Sequence, residues 1–217
     1  MIVLFFRNPD SLSDSRLDEL LALLPPQQQQ IVDQIHLRRH RCEQVVAYTM
    51  LCNALAYESE HLSGDDIVLK EVEEHQLAMP LIDPPLWRFG EQGKPFITNY
   101  ENCHFNISHC TQAVTVAVAS RNVGVDVEGP RRFNEGLLQR SMSLTEQAEI
   151  RQSSNPEATF SKLWTRKEAY FKWLGTGILI TRLPFTEEDA AQAQCHIETQ
   201  YVDVADFFLS LAFKISS

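Results

Sequence analysis

Residues 123–128 read Val-Gly-Val-Asp-Val-Glu, an alternation that suits an extended strand. Strand side chains alternate faces with period two. Val123, Val125 and Val127 therefore turn toward a core. Gly124, Asp126 and Glu128 share the opposite face, where the glycine leaves open space beside two carboxylates. Carboxylates this close repel unless a proton or a cation sits between them. A hard, all-oxygen patch suits Mg²⁺, which takes carboxylate oxygens, keeps waters and bridges substrate phosphates.

A second pattern adds to this one. Asn155-Pro156-Glu157 opens a helix with a cap, a proline at the first position and an acid in the first turn. The helix is expected to stop at Gly175. Its i, i+4 row reads Phe160, Trp164, Glu168, Lys172. Glu168 can supply a third oxygen, and Lys172 can reach a phosphate that the metal also touches. Carboxylates and a lysine around Mg²⁺ equip a site for phosphoryl transfer, where catalysis is mostly positioning and charge stabilisation. Plainer readings exist: a solvated strand face, and a surface Glu–Lys pair contributing a few tenths of a kcal/mol.

Elsewhere, Met1 to Arg7 reads as a buried first strand. Ser11 to Leu24 has helical spacing and ends at Pro25-Pro26, and a second helix is expected from about Gln27 to Tyr57. Pro80 to Pro95 is loop-like. Residues 104–108 and 113–119 look extended, Ser143-Leu144-Thr145-Glu146 is a capping box, and strands are expected near 196–202 and 207–215. The mixture predicts an α+β (mixed α/β) fold with a largely antiparallel sheet. From the order of elements, the chain divides into an N-terminal half, 1–120, and a C-terminal half, 121–217, which carries the metal motifs.

The chain has 217 residues, enough to bury a core, and a formal net charge of −10. That charge argues against nucleic acid as a partner, since phosphate backbones are bound by Lys and Arg. No apolar run approaches the roughly 18 residues of a membrane span, and the apolar start is too short for a signal core. The cytoplasm is the expected compartment. Five cysteines, none in CxxC spacing, suit reduced thiols.

Four stretches in order resemble the 4′-phosphopantetheinyl transferase superfamily, in its larger surfactin-synthetase-activating type. They are Gly93-Lys94-Pro95, Phe105-Asn106-Ile107-Ser108-His109, Gly124-Val125-Asp126-Val127-Glu128, and the run from Trp164 to Lys172. The resemblance covers about residues 90–178 well, and its last two motifs are specific at this separation. It implies a monomer of two pseudo-symmetric halves with the active site in the cleft between them. It implies Mg²⁺ on Asp126, Glu128 and Glu168. Lys94, Pro95, Ser108 and His109 resemble positions that hold coenzyme A phosphates. Lys172 and Lys167 resemble lysines that approach the pyrophosphate, and Arg41 an arginine at the nucleotide end.

The implied reaction moves phosphopantetheine from coenzyme A to a serine of an apo acyl or peptidyl carrier protein and releases 3′,5′-ADP. Glu168, or a water on the metal, takes the serine proton. Thr176 stands where the family often has a basic residue. Arg131-Arg132 or Arg166-Lys167 would dock an acidic carrier. The alternatives are a Mg²⁺-dependent phosphodiesterase or nuclease, and a non-catalytic carrier-binding homologue.

Overall fold

The computed structural model describes residues 1–61, 66–79, 83–90, 93–176 and 187–214. Four layers can be traced through them. The first holds α1 (Asp14–Leu23), α2 (Pro26–Asp33) and α3 (Arg38–His61). The next is a sheet of β1 (Ile2–Arg7), β2 (Val68–Glu71), β5 (His104–His109) and β6 (Ala113–Ala119), in the order β2-β1-β6-β5. A second sheet runs β7-β9-β8, from β7 (Val123–Glu128), β8 (Cys195–Val202) and β9 (Phe207–Lys214). Over it lies α6 (Pro156–Leu174), with α4 (Glu135–Ser141), α5 (Leu144–Gln152) and α7 (Glu187–Gln192) alongside. All pairings are antiparallel except β1 with β2, and the fold is α+β as the element pattern predicts.

Period two explains the layering. Ile2, Leu4 and Phe6 of β1 and Val114, Val116 and Val118 of β6 face α3. Val3, Phe5, Ala113, Ala117 and Ala119 face the other way and meet Val123, Val125 and Val127 of β7 and Phe207, Leu209 and Leu211 of β9. The small residues of β6 let the two sheets approach. Each large apolar side chain buried here contributes about 1.5–3 kcal/mol.

The expected helix from 27 to 57 is two helices. Pro26 opens α2, and α3 restarts at Arg38. Arg38 explains the restart: its guanidinium donates to Asp10 and Asp14, both at 2.9 Å, and so ties the start of α3 to α1. The stretch read as a loop contains a hairpin of β3 (Trp87–Phe89) and β4 (Pro95–Ile97). Trp87 anchors it, stacked on Tyr48 at 5.6 Å and tilted against Phe105 at 5.3 Å. Residues 80–82 and 91–92 of that stretch lie outside the described residues.

Gly124 does not leave open space. A β-carbon there would overlap the Ala169 carbonyl oxygen and the Trp173 amide nitrogen and lie 2.9 Å from Trp173 Cα. The glycine lets the backbone of α6 rest directly on β7. Backbone atoms cannot swing aside as a side-chain tip can, so Gly124→Ala is expected to cost about 3 kcal/mol or more. Urea unfolding of the variant measures this as a lower midpoint with an unchanged slope.

Candidate functional site

β7 pairs with β9 along one edge, and its other edge faces β5. Side chains of β5 make that second junction. Asn106 Oδ1 accepts from the Val125 amide at 3.0 Å, and Ser108 Oγ donates to Asp126 Oδ1 at 2.7 Å. Asn106 and Ser108 share one face of β5 by period two, while Phe105 on the other face packs into the α3 core. The motif Phe105–His109 thus stitches two sheet edges together. Sequence reasoning missed Asn106 in this role, although its spacing from Ser108 carried the signal.

The close approach at Gly124 sets α6 over Asp126. Lys172 Nζ donates to Asp126 Oδ1 at 2.7 Å and to Ser108 Oγ at 2.8 Å. Asp126 is 3% exposed, and its Oδ2 is buried with no hydrogen-bond partner. Two further carboxylates lie close enough to feel it. Glu168 is pushed up to about 7 by burial and by the Asp126 charge, against the pull of Lys172. Glu128 is also raised, by burial and then by Asp126, while Arg131 lowers it through a hydrogen bond of 3.0 Å. Arg131 in turn lies over the Trp164 ring at 5.6 Å, a contact the sequence did not suggest.

These residues fit a divalent cation in two respects: an orphaned carboxylate oxygen faces no donor, and the donor set is hard oxygen. The three acids are not drawn into a finished cage. Among the described residues, no group of three His, Cys, Asp or Glu side chains is arranged to hold a metal ion. Lys172 is the cation that faces Asp126.

The remaining expected site residues lie around this cluster or on neighbouring elements. Lys94 Nζ is bound to Asn122 Oδ1 at 2.7 Å, Val123 O at 3.1 Å and Trp173 O at 3.4 Å, and burial pulls it down to about 8. It holds a carbonyl in the last turn of α6, where the helix dipole favours a cation. Pro95 lines a cavity of about 230 Å³ with Lys94 and Lys172. His109 Nδ1 lies 3.3 Å from Glu43 Oε2 on α3. The Arg41 Nε is buried with no hydrogen-bond partner.

Lys167 is not brought to the cluster. It is 3% exposed and its ammonium lies 2.9 Å from Glu146, the acid of the α5 capping box. Arg166 donates to Ile197 O at 3.2 Å and Thr199 Oγ1 at 2.8 Å. The pair faces the protein because α6 packs that side on α5 and β8, so the expected basic docking patch at 166–167 is not formed. Arg132 does present its guanidinium, with a side chain 95% exposed.

The family model for the 4′-phosphopantetheinyl transferase superfamily matches residues 122–211, from the start of β7 into β9. A 4′-phosphopantetheinyl transferase of Bacillus subtilis is 34% identical over 101 residues, 45% of each chain. The transferase Sfp of Bacillus subtilis strain 168 is 29% identical over 153 residues, 64% of this chain and 67% of its own. The transferase AcpT of Salmonella typhi is 33% identical over 131 residues, 57% of this chain and 68% of its own. This chain belongs to the 4′-phosphopantetheinyl transferase superfamily. The match spans 45% of the first of these relatives and about two thirds of the other two. The superfamily region contains Asp126, Glu128, Glu168 and Lys172, whereas Arg41, Lys94, Ser108 and His109 lie before it.

The raised Glu168 acid gives a pH signature. Ionising it costs the folded state, so its unfavourable contribution is absent below the ordinary value of 4.5, grows with pH and is complete above about 7. Stability from this group is therefore lost as pH rises through that window. Melting temperature followed over the same range should fall more steeply for the wild type than for Glu168→Gln. The difference should reach a few degrees, at about 2–4 °C per kcal/mol. Parallel curves would contradict the assignment.

Proposed function

We propose that this superfamily member transfers 4′-phosphopantetheine from coenzyme A to a serine of an apo acyl or peptidyl carrier protein, with Mg²⁺, releasing 3′,5′-ADP. The observation that carries the reading is the buried Asp126 with one oxygen on Lys172 and Ser108 and the other unpartnered, flanked by two raised carboxylates.

Asp126, Glu128 and Glu168 would hold the metal, which supplies positive charge to the pyrophosphate as charge builds on the leaving group. Lys172 brings a donor to the same phosphates. Ser108 keeps Asp126 and Lys172 oriented. The carrier serine attacks the phosphorus next to pantetheine. The bond to the bridging oxygen breaks, and 3′,5′-ADP leaves. Glu168 would accept the serine proton as the general base of the site. Pro95 and His109, which line one cavity, would meet the nucleotide end, with Arg41 nearby on α3 as the resemblance implies. Lys94 and Lys167 act from behind, one holding the end of α6 and the other holding α5.

The halves 1–120 and 121–217 meet at this site, β5 coming from one and β7 from the other. A monomer acting in the cytoplasm completes the reading. No described helix is long and apolar enough to cross a membrane.

Mixing the protein with coenzyme A, Mg²⁺ and an apo carrier, then weighing the carrier, tests the proposal. The expected result is a gain of one phosphopantetheine. Chelator should abolish it, and Asp126→Asn should slow it at least about 100-fold. No gain on several unrelated carriers would refute the reading.

A further inference from the structure

Asp126 of β7 stands in register with Ser210 of β9, and Ser210 with Thr199 of β8. Cross-strand partners share a face, with β-carbons about 4.5–5.5 Å apart. The three polar side chains therefore form a row across the sheet beneath α6. Ser210 Oγ lies 2.8 Å from Thr165 Oγ1 of α6 and 2.9 Å from Thr199 Oγ1. Thr165 Oγ1 donates to Lys162 O at 3.0 Å, and Arg166 Nη1 donates to Thr199 Oγ1 at 2.8 Å. Ser210 and Thr165 are fully buried.

Donor counting fixes the direction of this chain. A hydroxyl has one proton and two lone pairs, and a guanidinium only donates. The Thr165 proton is used on Lys162 O, so Thr165 accepts from Ser210. The Ser210 proton is then spent, and Ser210 accepts from Thr199. Thr199 in turn accepts from Arg166. The bonds run from Arg166 through Thr199, Ser210 and Thr165 to Lys162 O without a reversal.

The consequence falls on Asp126. Ser210 is the hydroxyl in register with it, yet has no proton left to give. Asp126 Oδ2 is buried and has no partner, while Ser108 and Lys172 both donate to Oδ1. One more donor would stabilise the carboxylate charge that a cation is to meet. We infer that Thr165 is a positioning residue: by holding the Ser210 proton, its hydroxyl keeps Asp126 one donor short and available to a divalent cation. The inference rests on the reading that Asp126 holds a metal.

The test is Mn²⁺ titration by calorimetry of the wild type, Thr165→Val, Ser210→Ala and the double variant, each shown to be folded by circular dichroism. In Thr165→Val, Ser210 loses its acceptor, and a carboxylate is the strongest acceptor within its reach. Mn²⁺ affinity should fall about tenfold, the scale of a disturbed supporting contact in a metal site. Ser210→Ala should bind Mn²⁺ as the wild type does. The double variant should recover wild-type affinity, because the misdirected proton is gone. A purely structural role for Thr165 would leave the double variant at least as weak as Thr165→Val. Thr165→Ala, which adds no bulk, gives the same pattern where valine disturbs the fold, and Thr165→Ser keeps wild-type affinity. Equal affinity in the wild type and Thr165→Val, or a loss that persists in the double variant, would overturn the inference. A wild type that binds no Mn²⁺ would instead refute the cation reading, and the inference with it.

Discussion

The backbone of α6 rests on β7 at Gly124, and the site depends on that contact. With no β-carbon in the way, the carbonyl of Ala169 and the amide of Trp173 come against the strand. Residues 168 and 172 of the helix then fall over residue 126 of the strand. Lys94 fixes the same joint from outside by holding both Trp173 O and Val123 O. The polar end of Lys172 reaches a carboxylate that is 3% exposed because the helix it belongs to has no gap beneath it. A side chain at 124 would lift the helix and separate these groups without touching any of them.

Burial and charge oppose each other at this joint. Desolvation disfavours ionised acids, and Asp126, Glu128 and Glu168 are crowded together. Lys172 and Arg131 offset part of that cost, and Ser108 adds a hydrogen bond. Glu168 is left as the acid whose charge is least supported. A chain carrying a net charge of −10 can hold a polyanionic substrate only if such local cations face it. Lys172 is placed to do so, while Lys167 and Arg166 are committed to neighbouring elements.

Much of the fold was legible because its signals are local. The valine alternation placed β7, the capping box of Ser143 and Glu146 placed α5, and Asn155 and Gly175 bounded α6. The strand period set Asp126 beside Glu128 and the helical period set Lys172 beside Glu168, but the direct ion pair of Lys172 with Asp126 was not legible. What sequence hid was long-range. The break before α3 depends on Arg38 reaching α1, the hairpin of β3 and β4 depends on Trp87 packing on Tyr48, and the inward turn of Lys167 depends on Glu146. Gly124 was noticed but misjudged, since a missing side chain reads equally as empty space or as room for a neighbour.

Packing at Gly124, and not the acids alone, shapes the cation site that we propose. Mn²⁺ titration by calorimetry of Gly124→Ala, at a temperature where the variant remains folded by circular dichroism, tests it directly. All three acids are intact in that variant, yet affinity should fall by at least about tenfold relative to the wild type, as when supporting groups of a metal site are lost. Equal affinity in the two folded proteins would contradict the account.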